Sequence, residues 1–158
     1  MDRRILVVDE SELSCLQISQ LLARGGRQIK VARDGTTALE WLVERNFSLV
    51  LVDLCLPDVS GLELVREIRE RDLPVTIVVM SGHGSVETAV EAMRLGAYDF
   101  LAKPIDALRL DVLVEQALRD RTLQDEVQSL RQGLQERFAF HNLLGKSPSM
   151  REVFARLA

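Results

Sequence analysis

Five polar residues stand at the ends of short apolar runs, and their types suit phosphoryl chemistry. Asp9 and Glu10 follow one run, and Asp53, Ser81 and Lys103 follow three others. Close carboxylates repel one another unless a cation lies among them, and oxygen-only ligand sets favour Mg²⁺. A carboxylate can attack phosphorus, while a metal and an ammonium neutralise phosphoryl oxygens. We therefore expect Asp53, which ends the most apolar run, to be a nucleophile, with Ser81 as a hydroxyl donor and Lys103 as a cation.

Five apolar runs predict the strands that position these residues: 5–8, 28–32, 47–52, 75–80 and 97–101. The first, third and fourth are nearly continuous Val, Ile and Leu, which is typical of strands buried on both faces of a parallel sheet. Helix-sized stretches separate the runs, with capping signals at Ser11, Asp34 and Ser60. The alternation predicts an α/β fold with a doubly wound, five-stranded parallel sheet. The carboxyl ends of its strands share one edge, so the five polar residues should lie together there.

The fourth and fifth helices have their own signals. Val86, Ala89, Val90 and Met93 recur at helical spacing and make the clearest amphipathic stripe, and Gly96 ends that helix. A further helix is expected from about residue 106.

Length and charge narrow the functional classes. The chain has 158 residues, close to the roughly 150 typical of one domain, with a little extra. Residues 1–106 carry 12 basic and 17 acidic side chains (12 − 17 = −5), a poor match for a nucleic-acid backbone. The apolar runs are too short for a membrane span or a signal peptide, and Cys15 and Cys55 are expected as free thiols. We expect a cytoplasmic protein that makes no membrane contact.

The pattern changes after about residue 106. Leu123, Val127, Leu130 and Leu134 have heptad spacing, which favours a dimerising coiled-coil helix over a single solvated one. Ser147 and Pro148 then predict a helix start. The apolar residues Met150, Val153, Phe154 and Leu157 continue to the last residue, which predicts that the chain stops inside a further domain.

Four segments together resemble the receiver domain of two-component response regulators. They are 7–10 (Val-Val-Asp-Glu), 51–57 (Leu-Val-Asp-Leu-Cys-Leu-Pro), 80–82 (Met-Ser-Gly) and 101–104 (Leu-Ala-Lys-Pro). The steps from 53 to 81 and from 81 to 103, 28 and 22 residues, are those of the family. Residues 81–100 are especially similar to receivers of the nitrogen-regulator (NtrC) class. The resemblance implies the flavodoxin-like strand order 2-1-3-4-5.

The resemblance also implies the site. Asp53 would be the phosphoacceptor, and Ser81 and Lys103 would bind the phosphoryl group. Asp9, Glu10, Asp53 and the backbone carbonyl of Cys55 would hold Mg²⁺, with the longer Glu10 acting through water. Ser81 and Phe100 would form a two-state switch that changes the face made by helix 4 and strand 5.

The segment 143–150 (Leu-Leu-Gly-Lys-Ser-Pro-Ser-Met) allows two readings. It lacks the earlier glycine of a P-loop, because position 140 is Phe. It instead resembles the entry to the AAA+ ATPase domain of sigma-54-dependent activators. The expected organisation is a receiver in 1–119, a helical, dimerising linker in 120–142 and the start of a truncated ATPase domain in 143–158.

The resulting hypothesis is a signalling switch rather than an enzyme. A sensor histidine kinase would phosphorylate Asp53, and a homodimer would form through the linker helix and the helix 4–strand 5–helix 5 face. DNA and sigma-54 RNA polymerase would be contacted through domains absent from this chain.

Three alternatives stay open. A phosphatase of the haloacid-dehalogenase type wants a second aspartate where Cys55 stands. A flavodoxin-like cofactor binder would meet repulsion from Asp9, Glu10 and Glu12. A pseudo-receiver would signal without phosphorylation.

Overall fold

The computed structural model describes residues 3–23 and 26–144. The helix predicted from Ser147, and nearly all of the segment assigned to a truncated ATPase domain, lie outside the described residues. The chain divides into two compact units, Met1–Arg121 and Thr122–Ala158.

Strands and helices alternate along the first unit, as the sequence predicts. The strands are β1 (Arg4–Val8), β2 (Gln28–Ala32), β3 (Leu49–Asp53), β4 (Thr76–Ser81) and β5 (Asp99–Ala102). The helices are α1 (Glu12–Leu22), α2 (Gly35–Glu44), α3 (Gly61–Glu70), α4 (Val86–Arg94) and α5 (Ala107–Leu144). The predicted N-caps are observed: the side chains of Ser11, Asp34 and Ser60 each accept a hydrogen bond from the amide three residues later.

The strands form one parallel sheet in the order β2-β1-β3-β4-β5, which confirms the predicted topology. The central strand β3 is buried at every residue, as its continuous apolar sequence requires. Its register pairs Val8 of β1 with Val52 and pairs Asp53 with Met80 of β4. The carboxyl ends of β1, β3 and β4 therefore finish at one level of the sheet.

Alternate strand residues face two separate apolar clusters. One side of the sheet packs Val50, Val52 and Val79 against α2, α3 and α4 residues such as Leu64 and Ala92. The other side packs strand residues against α1 and the first part of α5. Helices thus cover both faces, which places the functional edge at the strand ends.

The apolar stripe of α4 does not face the core. Val86, Val90 and Met93 are 81%, 46% and 47% exposed, whereas Ala92 is the buried residue of this helix. A small side chain packs closely against the sheet, so the larger ones of the stripe lie on the outer surface.

Three ion pairs hold the first part of α5 against the rest of the first unit. Arg27, whose side chain is 2% exposed, pairs with Asp111 at 3.2 Å and with Glu115 at 2.5 Å, and Arg3 pairs with Glu115 at 3.2 Å. We call these four residues the α5 clamp.

A hydrogen bond from the Tyr98 hydroxyl to Asp120, at 2.6 Å, also joins the residue before β5 to this helix. Farther along α5, Leu123, Val127, Leu130 and Leu134 are all exposed. Within the described residues, no helix combines the length and apolar character needed to cross a membrane.

Candidate functional site

Asp53 is the last residue of β3 and is buried, with 8% of the residue exposed. The chain can turn tightly after it because Gly61 lies against its backbone: a β-carbon at Gly61 would fall 2.3 Å from the Asp53 carbonyl oxygen. The Gly61 amide also donates to the Leu54 carbonyl at 2.8 Å. The Asp53 carboxylate accepts a long hydrogen bond from the Cys55 amide at 3.3 Å. A buried strand end and a glycine contact thus fix this carboxylate at the edge of the sheet.

Lys103 bridges two carboxylates at this edge. Its Nζ donates to Asp9 at 2.6 Å and to Asp53 at 3.0 Å, and it lies 3.4 Å from the Ser14 hydroxyl. The Lys103 amide donates to the Ser81 carbonyl at 2.8 Å, which places the lysine beside the end of β4. We call Asp9, Asp53 and Lys103 the rim cluster. Two anions around one cation leave it with one uncompensated negative charge.

Burial and the neighbouring charges shift the pKa values of Asp53 and Lys103. Burial raises the pKa of Asp53, the hydrogen bond from Lys103 opposes the rise, and repulsion by Asp9 adds to it, leaving the pKa above its usual value. Burial alone would lower the pKa of Lys103, but its hydrogen bonds to Asp9 and Asp53 outweigh that effect and raise it. Lys103 therefore stays charged, while burial and the nearby charge of Asp9 make the charged form of Asp53 unfavourable.

Two of the three predicted acidic ligands are brought together. Asp9 and Asp53 contact the same ammonium, whereas the Glu10 side chain is exposed. Among the described residues, no group of three or more His, Cys, Asp or Glu side chains is arranged to hold a metal ion. The donor set nonetheless fits Mg²⁺, which commonly takes one or two carboxylates, keeps several waters and binds phosphate oxygens. In that arrangement Asp9 and Asp53 would hold the ion, and Glu10 would act through water.

Ser81 and Phe100 both lie close to Gly84. Ser81 is buried, and its hydroxyl accepts a hydrogen bond from the His83 amide at 3.1 Å. A β-carbon at Gly84 would fall 2.5 Å from Cζ of the half-buried Phe100 ring and 3.1 Å from the Ser81 β-carbon. The ring therefore occupies space that a side chain at position 84 would fill, next to the predicted switch hydroxyl.

The two cysteines match their prediction. Both are free, with Cys15 buried and Cys55 exposed. Burial first, and then the negative charge of Asp9, raise the pKa of the Cys15 thiol, so it stays protonated.

Sequence reasoning missed three residues near the site. Ser14 projects from α1 towards Lys103. Arg33, just after β2, donates to the Glu10 carbonyl from Nε at 2.8 Å and from Nη2 at 2.5 Å. Asp58 accepts four hydrogen bonds, three of them from Gly35 and Thr36. The sequence gives no sign of these contacts, because they join the β1–α1 and β3–α3 loops to residues that are distant along the chain.

Comparison with known proteins identifies the same family that the sequence motifs resemble. The family model for the response regulator receiver domain matches residues 5–115. The chain is 37% identical to the nitrogen assimilation regulatory protein NtrX of Azorhizobium caulinodans over 153 residues, which cover 96% of this chain and 33% of that protein. The chain spans about a third of the length of the curated relatives that it matches.

Two solved structures resemble this one closely. The signal receiver domain of a LuxO repressor protein from Vibrio parahaemolyticus superposes with a TM-score of 0.78 at 32% identity, covering 80% of this chain and 98% of that chain. The beryllofluoride-activated receiver domain dimer of NtrC4 superposes with a TM-score of 0.72 at 32% identity, covering 75% of this chain and 98% of that chain.

Proposed function

The chain belongs to the family of response regulator receiver domains, in the class of two-component sigma-54 activators, and we propose that Asp53 is its phosphoacceptor. The observation that carries the proposal is the ammonium of Lys103 bridging Asp9 and Asp53 at 2.6 and 3.0 Å. Receiver domains are signalling modules, so the proposed role is a phosphorylation switch rather than a metabolic enzyme.

The donor in this proposal is the phosphohistidine of a sensor kinase. An oxygen of Asp53 attacks phosphorus, the new O–P bond forms as the N–P bond breaks, and the histidine leaves with that electron pair. Bound Mg²⁺ would neutralise phosphoryl oxygens at this site. Lys103 would bind another phosphoryl oxygen as a point charge, and the Ser81 hydroxyl would turn from the His83 amide to donate to a third. Asp9 would orient both Lys103 and the metal.

The kinase must approach from the edge of the sheet where Asp53 lies. Leu13 and Leu16 of α1 are 66% and 56% exposed. They are on the helix that also carries Ser14, whose hydroxyl faces Lys103. We include this surface in the proposed kinase contact, because exposed apolar side chains beside a reactive group suit a protein partner.

Phosphorylation is tested with a small phosphodonor. The protein is incubated with MgCl₂ and acetyl phosphate, and its intact mass is measured. We expect one phosphoryl adduct on the wild type, none without Mg²⁺ and none on Asp53→Asn. Glu63→Gln, an exposed carboxylate in α3, serves as the control and should be modified like the wild type. An adduct that persists on Asp53→Asn would refute the assignment.

The switch in this proposal acts through the outer face of α4. When Ser81 turns towards the phosphoryl group, the Phe100 ring can move away from Gly84, and the surface formed by α4 and β5 changes. Val86, Val90 and Met93 make this surface apolar before any change. The proposed homodimer uses this face together with α5, and the beryllofluoride-activated receiver of NtrC4 is itself a dimer.

The exposed seam of α5 supports a second dimer contact. Leu123, Val127, Leu130 and Leu134 lie at coiled-coil spacing on the helix surface. We expect a concentration-dependent dimer that Leu130→Asp weakens, measured by sedimentation, with Gln128→Asp as a control on the same helix. A wild type that is monomeric at every concentration would contradict the coiled-coil assignment.

The proposed output is altered assembly of an ATPase that acts on sigma-54 RNA polymerase at DNA.

A further inference from the structure

The loop between β2 and α2, together with the first turn of α2, contacts both of the loops that supply predicted ligands at the site. On one side, Arg33 makes two hydrogen bonds to the Glu10 carbonyl, in the loop that follows β1. The Asp9 amide donates to the Ala32 carbonyl at 3.1 Å, which is a second contact between the end of β2 and the loop after β1. The backbone on either side of the predicted Asp9–Glu10 ligand pair is therefore held by the end of β2.

On the other side, the first two residues of α2 hold the segment between β3 and α3. The Asp58 carboxylate accepts hydrogen bonds from the amides of Gly35 and Thr36, both at 2.9 Å, and from the Thr36 hydroxyl at 2.6 Å. These contacts lower the pKa of Asp58 below its usual value, with the Thr36 hydroxyl the largest cause. Gly35 fits tightly here, because a β-carbon on it would fall 2.4 Å from Val59.

Asp58 caps the first two amides of α2 from a distant loop, in addition to the helix's own N-cap. Asp34 already caps this helix, accepting from the Thr37 amide at 2.7 Å and from its hydroxyl at 3.0 Å. Asp58 comes from 23 residues away and joins the β3–α3 loop to the first turn of α2. In the β3–α3 loop that carries Asp58, the backbones of Cys55 and Ser60 form an isolated antiparallel β-bridge. The segment that contains the Cys55 carbonyl is thus anchored at its base and at its tip.

We propose that Arg33 and Asp58 are positioning residues for the Mg²⁺ and phosphoryl site, and that the β2–α2 loop with the first turn of α2 braces the two loops that supply its ligands. This inference rests on the proposed function of Asp53. Neither residue touches the reacting atoms. Each acts through the backbone of a neighbouring loop, so its loss should loosen the ligand geometry and leave the core intact.

The test compares Arg33→Met and Asp58→Asn with two matched controls in the full chain. Asp34→Asn removes a carboxylate from the same helix N-terminus without touching the β3–α3 loop. Arg71→Met removes an exposed guanidinium that pairs with Glu67 on α3 at 3.2 Å. Binding of MgCl₂ is measured by titration calorimetry, and urea unfolding in EDTA reports folding of each variant.

We expect Arg33→Met and Asp58→Asn each to weaken Mg²⁺ binding by roughly three- to tenfold, at or below the lower end for groups that orient metal ligands. Asp34→Asn and Arg71→Met should bind Mg²⁺ like the wild type. Equal weakening by Asp34→Asn and Asp58→Asn would overturn the proposal, since the effect would then belong to α2. Unchanged binding by both test variants would overturn it too, while a normal Asp53 adduct would leave the proposed function standing. A wild type that neither binds Mg²⁺ nor forms the adduct would refute both.

Discussion

The first unit contains two ionic clusters with different charge balance. The rim cluster places Asp9 and Asp53 around the one ammonium of Lys103. The α5 clamp places two guanidinium groups, from Arg3 and Arg27, against two carboxylates. In each cluster one member is almost wholly buried: the side chain of Asp9 is 1% exposed and that of Arg27 is 2% exposed.

The difference indicates what each cluster is for. Balanced charges satisfy one another, so the α5 clamp can serve folding by holding α5 on the sheet. The rim cluster keeps an excess carboxylate. Burial first, and then repulsion by Asp9, raise the pKa of Asp53, so its charged form costs stability. A divalent cation bound beside Asp53, or a phosphoryl group on it, would change the net charge of the rim cluster. The α5 clamp has no excess charge for a cation to neutralise. Three substitutions test this contrast, and a fourth tests the hydrogen bond between Tyr98 and Asp120, which lies outside both clusters.

Lys103→Met should have the largest effect, because it leaves two carboxylates facing each other without a cation. In EDTA at neutral pH we expect a loss of about 3 kcal/mol in the free energy of unfolding, the lower end for breaking a buried ion pair. Saturating Mg²⁺ should restore part of the loss. Urea denaturation with and without Mg²⁺ measures both values.

Lys30→Met is the control for Lys103→Met, since this lysine lies 4.3 Å from the centre of the Trp41 ring. Its loss should stay under about 1 kcal/mol and should not respond to Mg²⁺. If Lys103→Met were as stable as Lys30→Met, the assigned role of the ammonium would be wrong.

Arg27→Met should come next, with a loss of about 2 kcal/mol. The figure lies below the usual cost of a broken buried pair because Asp111 and Glu115 are about one-third exposed and remain partly solvated. Mg²⁺ should not restore this loss, and urea denaturation checks it. A recovery with Mg²⁺ equal to that of Lys103→Met would remove the distinction between the clusters.

Tyr98→Phe should cost about 1 kcal/mol, the usual net value of one hydrogen bond. The bond to Asp120 raises the Tyr98 pKa from 10.0 to about 12. Because the folded protein holds this proton more tightly than the unfolded chain, its contribution is complete below pH 10 and is lost as pH rises towards 12. The wild type should therefore lose its advantage over Tyr98→Phe across that range, as urea unfolding at several pH values would show. A constant difference would contradict the hydrogen bond.

Asp53→Asn should have the smallest effect and the opposite sign. The pKa of Asp53 is raised above 3.8, so the wild type loses stability as pH rises from below 3.8 through the folded-state pKa. In EDTA at pH 7 the amide variant should be more stable, by less than about 1 kcal/mol. Unfolding at pH 3 and pH 7 provides the comparison. A variant that is less stable than the wild type at pH 7 would show that the ion pair with Lys103 outweighs burial.

The sequence predicted the sheet and its polar edge because those depend on local signals. Continuous apolar runs gave β1, β3 and β4, and Asp53 and Lys103 were placed by the strand ends that precede them. The outward direction of Val86 and Val90 was not predictable, since an apolar stripe suits a core and an interface equally well. Arg33 and Asp58 were missed for a different reason. Their contacts join residues that are 22 to 23 positions apart in the chain, and no spacing pattern in the sequence predicts these pairs.

Mg²⁺-dependent stability most directly tests whether the rim cluster is a cation site. The free energy of unfolding of wild type, Arg27→Met and Asp53→Asn is measured in urea over a series of MgCl₂ concentrations. A site that binds the ion in the folded state alone should add about 1.4 kcal/mol at ten times its dissociation constant. We predict that gain for the wild type and for Arg27→Met, and a much smaller one for Asp53→Asn. No gain in the wild type, or the full gain in Asp53→Asn, would contradict the account.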